Sequence, residues 1–580
     1  MQLRPYQLNA RDFTIGLMKQ GERSALGVLP TGCGKTIVFA SLIKRVFPRR
    51  TMVIAHRQEL IWQAHEKIKR VTGFHVDVEM GDMKSNENGL FVRRAPVIVS
   101  TMQTHSSGGD GAGRISKFDP SEFGLLVIDE AHHSISPSYR RIINYYRTNP
   151  NLFVLGVTAT PDRSDEEALG QVFENVAFDY EISDAIKDGW LVPVEQEFIN
   201  VDSLDFSQVR TTAGDLNGKD LAEVMEAERN LYGIAYPTID IVGNDKRGIG
   251  FASSVIQARR LSELFNRHRK GSSAFVSGAT PREERAKIIK DFANGIIRFL
   301  WNCNVFTEGF DDSGVDIISM GRPTKSRSLY AQMVGRGTRP HESIAHSLNG
   351  CPNSILRRML IKRSIKPSCL VIDFAGNSGK HKLITTADIL GGNYSDNVVE
   401  TAIKFSKRVG GRVNTLEILE EEEKRAEEAR KRREAEEARR ANIRVTAKYT
   451  RRHINPFDVL DIKPAKQRGW DDKKILTEKQ KGFLRKFGFD PESLEYARAR
   501  QLIGIIMERI DKKRCSFAQI ELLCKFGYSE SGVKDWSSEQ ASKAIDAIKA
   551  NGWKRPQVFE ATPQPTSESS DQIIDSDNPF

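Results

Sequence analysis

The chain has 580 residues, 39% apolar and 28% charged, which is too long for one core and enough for about three domains. Its 87 Lys and Arg against 76 Asp and Glu leave a formal charge of +11, compatible with a polyanionic partner but too small to identify one. No apolar run approaches the ~18 residues of a membrane span, and the opening MQLRPYQLNA lacks the apolar stretch of a signal peptide. Six scattered cysteines (33, 303, 351, 369, 515, 524) form no CxxC, so we expect no membrane, no zinc, no disulfide framework and a reducing, cytoplasmic setting.

Residues 1–195 alternate short β-branched runs with helical patterns: TMVIAH at 51–56, VIVST at 97–101, LLVIDE at 125–130 and LFVLGVTAT at 152–160. Continuous apolar strands between helices predict a parallel sheet covered on both faces. A polar stretch without a strong period follows, and 196–240 is expected to be a connector. The alternation resumes over 241–395 with GIGFAS, SAFVSG, RFLWNCNVF, VDIISMG and CLVIDFAG, which predicts a second α/β domain.

Composition changes near residue 400, and 396–474 reads as a charged helix and linker. Within it, residues 416–442 place Glu420–Lys424, Glu421–Arg425, Glu427–Lys431, Glu428–Arg432 and Glu436–Arg440 at i, i+4 in the favourable order. Sustained apolar a and d positions are missing, so a solvated single helix is predicted, a strut of roughly 40 Å.

Residues 475–555 hold an internal repeat. KQKGFLRKFGF at 479–489 and AQIELLCKFGY at 518–528 share Gln480/Gln519, Leu484/Leu523, Lys486/Lys525, Phe487/Phe526 and Gly488/Gly527. After a three-residue shift, Ala499, Ile503 and Ile506 match Ala541, Ile545 and Ile548. A unit this short buries too little to stand alone, so the copies are expected to pack into one small helical accessory module. Residues 556–580 carry no basic residue, and their Glu, Asp, Ser, Pro and Gln predict a disordered acidic tail.

The chemistry concentrates in LPTGCGKT, 29–36. A strand end, a Gly-rich turn and then Lys and Thr opening a helix form a phosphate cradle of backbone N–H groups and a helix N-terminus. Lys35 is placed to reach the β/γ oxygens and Thr36 to ligate Mg²⁺, although the strict pattern has Gly where this chain has Leu29. VIDEAH at 127–132 ends an apolar strand in Asp129 and Glu130, one carboxylate for the metal and the next for water. In QMVGRGTR, 332–339, Gln332, Arg336 and Arg339 are expected along one helix, where an arginine answers charge building on the γ-phosphate.

Together these motifs resemble the superfamily-2 DNA helicases, nearest the DEAH-box branch of XPB and bacterial RadD, over roughly residues 1–380. Further matching segments are LRPYQ at 3–7, AHRQEL at 55–60, STMQT at 100–104, TATP at 158–161 and TEGFD at 307–311. The resemblance implies two tandem RecA-like P-loop domains that use ATP and Mg²⁺ to move along DNA, single-stranded or forked, by its backbone and independently of sequence.

Residue by residue, it implies that Arg4 and Gln7 read adenine. Thr31, Gly32, Cys33, Gly34, Lys35 and Thr36 would hold phosphates, with Thr36 and Asp129 on the metal and Glu130 on the attacking water. Gly309 and Asp311 would approach the ribose and γ-phosphate, and Gln332, Arg336 and Arg339 would complete the site across the cleft. His132 and Thr158 would couple hydrolysis to DNA, and Arg57, Thr101 and Thr307 would touch its backbone.

RadD-like chains follow the segment matching VIDFAGN (371–377) with cysteine-rich metal fingers, which this sequence lacks. An RNA helicase, the motor part of a nuclease and a non-catalytic ATP-switched scaffold are the alternatives. A nuclease would have to use the isolated pair Asp461 and Lys463. The closing DSDNPF, Asp575 to Phe580, resembles the tip of bacterial single-stranded-DNA-binding protein, with Asn578 where that family usually has Ile. It implies docking on proteins that read that tip, in a bacterial or phage-infected cell.

Overall fold

The computed structural model describes residues 3–85, 94–106, 114–159, 163–306, 310, 312–392, 394–444, 465, 468–471 and 474–553. The acidic tail, its DSDNPF tip and the pair Asp461 and Lys463 lie outside the described residues. Met1–Thr446 and Ala447–Phe580 are separate compact units.

In the first unit the apolar runs become β1 (Ser24–Val28), β2 (Arg50–Ala55), β3 (Val76–Glu79), β4 (Val97–Thr101), β5 (Phe123–Asp129), β6 (Phe153–Thr158) and β7 (Asn175–Asp179). They pair in the order β3-β4-β2-β5-β6-β1-β7, every neighbour parallel. Strands β1, β2, β4, β5 and β6 are buried along their whole length, which is why they read as unbroken apolar runs.

A second sheet contains β8 (Val194–Asp205), β11 (Gly248–Phe251), β12 (Ser273–Val276), β13 (Phe299–Asn302), β14 (Ile317–Met320), β15 (Cys369–Asn377) and β16 (Arg412–Asn414). A two-residue-strand hairpin, β9 (Thr211–Thr212) and β10 (Asp215–Leu216), stands outside it. The order β12-β13-β11-β14-β15-β8-β16 repeats the first sheet strand for strand, except that β16 runs antiparallel where β7 is parallel. Both domains are therefore the doubly covered α/β type that the alternation predicted.

The boundaries differ from the sequence reading. The expected connector, 196–240, belongs to the second domain: β8 pairs with β15 from Cys369↔Val194 to Asn377↔Asp205. Leu204 and Phe206 share a core with Leu221, Leu231 and Ile234 of the helices Gly218–Glu226 and Glu228–Val242. The signal was weak because β8 has only the three-residue β16 outside it. Its VEQEFINVDSLD accordingly interleaves polar and apolar residues, and its burial is broken along its length. The domain also runs past 395, through the helix Asp396–Val409 and β16.

The charged helix spans Thr415–Arg444, 30 residues. Its base is not solvated: Leu416, Ile418 and Leu419 lie in one core with Ile389, Leu390 and Val398. Glu420 pairs with Lys187 at 3.2 Å, while Glu421–Arg425 at 3.9 Å and Glu427–Lys431 at 2.8 Å take the expected i, i+4 spacing.

The second unit has the helices Glu478–Lys486, Tyr496–Asp511, Phe517–Lys525 and Ser538–Ala550. Three start with a reciprocal cap, Thr477 with Gln480, Ser516 with Gln519 and Ser537 with Gln540. The repeat holds to the backbone, for Gly488 and Gly527 end matching helices at φ +85° and +86°. Each copy closes its own core, however: Leu484, Ala499 and Ile506 in one, Leu523, Ala541 and Ile548 in the other. The copies meet through the edge contact of Phe489 on Phe517 at 5.6 Å and the bond from Arg509 Nη2 to Cys515 O at 2.7 Å.

Candidate nucleotide cleft

β1 leads into the turn Leu29–Gly34, and Lys35 begins the helix Lys35–Val46. Leu29 departs from the strict pattern without consequence for the turn: it is fully buried, and its N–H donates to Thr158 O at 3.0 Å, continuing the strand ladder. The two inner glycines are required. Gly32 and Gly34 take φ +90° and +82°. A Cβ on Gly34 would stand 2.7 Å from Gln7 Nε2, and one on Gly32 would stand 3.1 Å from Arg339 Cγ.

Lys35 Nζ donates to Glu130 Oε1 at 2.7 Å, with both side chains nearly buried. Burial opposes both charges, but the pair outweighs it: Lys35 is held above the ordinary lysine range and Glu130 below the ordinary carboxylate range. Asp129 behaves oppositely, since burial, with Glu130's charge adding to it, raises its carboxyl despite Lys35. Asp129 Oδ1 accepts from Glu130 N at 3.0 Å. The Thr36 hydroxyl and a buried carboxyl that gains from added positive charge are oxygen donors of the kind a hard divalent cation takes, so these residues fit Mg²⁺.

Glu130 is one of five non-glycine residues with positive φ among those described, at +50°. That turn lifts its side chain out of the strand line and starts the short helix Ala131–Ile135. His132 Nδ1 lies 3.5 Å from Glu130 Oε2 and 3.2 Å from Thr158 Oγ1, so the two residues expected to couple the sites are hydrogen-bonded to each other. Tilted ring contacts then run from His132 to His133 at 4.1 Å and from His133 to His56 at 4.7 Å, next in sequence to Arg57.

On the side expected to face adenine, Tyr6 Oη and Gln7 Nε2 each donate to Cys33 O at 2.9 Å. Burial pushes the Cys33 thiol up to about 12, so this residue serves through its carbonyl and is inert as a nucleophile. Arg4 Nε donates to Asn349 Oδ1 at 3.1 Å, and its guanidinium lies 4.4 Å from the Trp190 ring. A cavity of about 600 Å³ opens between Arg4, Gln7 and the turn on one side and His346, Asn349 and Gly350 on the other. Tyr6 lay inside a recognised motif but was passed over; Asn349 stands in an ordinary polar helix and carried no signal.

The second domain closes over the turn. Gly335 faces Thr31 so closely that a Cβ there would stand 2.8 Å from Thr31 Cβ. Arg339 lies against Gly32, and burial lowers its guanidinium from the usual range. Arg336 Nη1 donates to Phe310 O at 2.6 Å, and Gln332 is buried. The expectation that all three lie along one helix is corrected: the helix Arg327–Val334 holds only Gln332 and ends at Gly335. Gly335 and Gly337 bracket Arg336 and disfavour helix there, and Gly337 lies so close to β15 that a Cβ would meet Cys369 Sγ at 2.2 Å.

Thr307, Gly309 and Asp311 lie outside the described residues. Arg57 precedes the helix Gln58–Thr72 and donates from Nη1 to Asn304 O of the second domain at 3.1 Å. Thr101 ends β4, is buried, and donates from Oγ1 to Thr104 Oγ1 at 2.9 Å. Among the described residues no group of three or more His, Cys, Asp or Glu side chains gathers as a metal site, and no helix is long and apolar enough to cross a membrane.

Residues 1–163 match the family described as "Type III restriction enzyme, res subunit", and residues 236–341 match "Helicase conserved C-terminal domain". Over 462 residues the chain is 29% identical to a candidate ATP-dependent helicase of Saccharomyces cerevisiae, IRC3, covering 76% of this chain and 60% of that one. A candidate mitochondrial ATP-dependent helicase of Schizosaccharomyces pombe, irc3, is 29% identical over 351 residues, 59% of this chain and 56% of that one. A candidate DNA 3′–5′ helicase of Haloarcula marismortui, Rad25, is 26% identical over 349 residues, 59% of this chain and 51% of that one. The chain thus spans between half and two thirds of the length of these relatives. The two family matches fall in this order on two sheets of one topology, and the relatives they accompany are all described as helicases.

Proposed function

We propose that the protein hydrolyses ATP to move along DNA as a helicase or translocase. The observation that carries the reading is the seating of the second domain's Arg339 and Gly335 on the first domain's Gly32 and Thr31. A nucleotide bound at this turn touches both domains at once, so its binding and loss change how they sit against each other.

In this reading Tyr6, Gln7 and Arg4 shape the adenine end, and Lys35 exchanges Glu130 for phosphate oxygens. That exchange releases Glu130 to take a proton from the attacking water. Arg336 and Arg339 answer the charge that builds on the γ-phosphate. Thr36 and Asp129 would hold Mg²⁺, whose chemistry is to neutralise phosphate charge. Gln332, Gly309 and Asp311 complete the cleft.

Arg57, Thr101 and Thr307 form the backbone track, with His132 and Thr158 carrying the state of the cleft towards it. DNA is favoured over RNA because the Rad25 relative is named as a DNA helicase. The tail tip, Asp575–Phe580, would dock on proteins that read the single-stranded-DNA-binding protein tip. The repeat unit would tether the motor, and a cytoplasmic setting in a bacterial or phage-infected cell suits both roles.

ATP turnover without nucleic acid, with single-stranded DNA and with RNA tests the proposal. Stimulation by DNA is expected; stimulation by RNA alone would reassign the substrate, and no turnover under any condition would make the chain a scaffold. A chain ending at residue 474 should keep the motor's thermal transition and some DNA-stimulated turnover while binding DNA more weakly.

A further inference from the structure

The second sheet has a cavity of its own, about 340 Å³, at the small end of the roughly 300–1,000 Å³ range of ligand pockets. It opens beside the paired row Met320–Asp373–Phe198, at the carboxyl end of β14 and within β15 and β8. In the repeated topology these strands correspond to β5, β6 and β1, whose carboxyl ends carry the nucleotide turn and Asp129. Open parallel sheets bind ligands at such positions.

The lining is built from three kinds of group. On the floor, Asp373 is 8% exposed and accepts from Tyr330 Oη at 2.6 Å and from Gln196 Nε2. Beside it, Phe198 is the direct strand partner of Asp373 and presents its ring on the same face, with Lys407 Nζ 5.6 Å from the ring centre. At the rim stand Arg322, Lys404 and Lys407, while Lys382 and Glu400 offset each other at 3.8 Å. A flat aromatic platform, a fixed carboxylate beside it and a cationic rim suit a ligand that is planar, donates a hydrogen bond and carries a phosphate.

We propose that this cavity takes one nucleotide unit, with its base against Phe198 and Asp373 and its phosphate at Lys404, Lys407 and Arg322. The inference rests on the DNA-motor reading for its source. Arg322 donates to the side chain of Asn304, and the carbonyl of Asn304 accepts from Arg57 at 3.1 Å. The rim is therefore continuous with the candidate backbone track, and the nucleotide belongs to the tracked strand rather than to the free pool. Holding one base out of the stack would give the second domain a grip that does not depend on sequence, since every base has an aromatic face.

The test uses the full chain and a short oligo-dT, with affinity measured by fluorescence anisotropy over a salt series. Lys404→Ala/Lys407→Ala should raise Kd about tenfold and flatten the log–log salt slope by about 1.4, the share of two phosphates on a single strand. Phe198→Ala should raise Kd at least about fivefold with the slope unchanged, since stacking carries no counterion. ATP turnover without DNA should stay at the parent value in both. Parent-like Kd and slope in both variants would overturn the proposal.

Free dTMP, titrated with the cleft saturated by a non-hydrolysable ATP analogue, separates the sources. If dTMP binds and Phe198→Ala abolishes it while oligo-dT binding is unmoved, the site serves the free pool and the strand assignment falls. A parent that binds no oligo-dT would sink the motor reading. The dTMP titration would then decide the cavity's chemistry by itself.

Discussion

The two sheets share one strand order and differ in what stands at the end of three strands. In the first, a paired row runs Asp129–Val157–Gly27; in the second, the corresponding row runs Met320–Asp373–Phe198. Where β1 breaks into a glycine turn, β8 runs on to Asp205, and where β5 ends in a carboxylate, β14 ends in Met320. The topology brings the same three strands side by side in both halves. Only the first half has the turn with two left-handed glycines and the acidic strand end that suit a phosphate. The second half contributes arginines from the far side instead.

If that division of labour is right, removing a second-domain arginine should hurt chemistry at least as much as removing a first-domain base. Arg339→Ala should lower kcat about 10³-fold with KM for ATP changed only a few-fold, because the group acts on transition-state charge. Steady-state ATPase assays check it, and equal losses in kcat and affinity would make Arg339 a ground-state binder.

Glu130→Gln should lower turnover about 10²-fold or more. Equilibrium binding of an ATP analogue should be retained or tightened, since Lys35 loses the charge that neutralises it. Turnover within a few-fold of the parent would remove Glu130 from its role.

The fit between the halves is sharpened by Gly335→Ala, which adds a Cβ 2.8 Å from Thr31 Cβ at an otherwise ordinary helical φ. KM for ATP should rise about tenfold, roughly 1.4 kcal/mol. Gly218→Ala, at the start of the helix Gly218–Glu226 and meeting no atom within 4 Å, is the control that should not move.

The smallest effect is expected from Thr158→Val, which removes the bond to His132 but keeps the shape. DNA stimulation should fall about fivefold, the worth of a hydrogen bond of roughly 1 kcal/mol, with DNA-free turnover unchanged. Equal loss in both conditions would make the pair part of the site and not a link.

The central strands and the Lys35–Glu130 half of the cleft could be read directly, because buried parallel strands are unbroken apolar runs and a phosphate turn needs Gly at fixed spacing. What escaped was set by packing between distant segments. β8 could not be seen because it gains its cover from β15 and β16, and the close approach of Gly337 to Cys369 of β15 joins segments far apart in the chain. Asn349 and Trp190 join the adenine side only once the second domain lies on the first. The repeat was legible to its glycine turns, yet pairwise matching could not tell one shared core from two.

The helix Thr415–Arg444 is fastened by Leu416 and Leu419 to the body that bears the arginines, and its 30 residues reach about 45 Å from that fastening. It therefore works as a pointer on a dial. A rotation of its base by ~10° would sweep the far end through roughly 8 Å. Dyes placed on Arg430 and on an exposed first-domain residue such as Phe13 would turn a small movement at the cleft into a large change in energy transfer. The catalytic cycle could then be followed one molecule at a time without a label near the nucleotide.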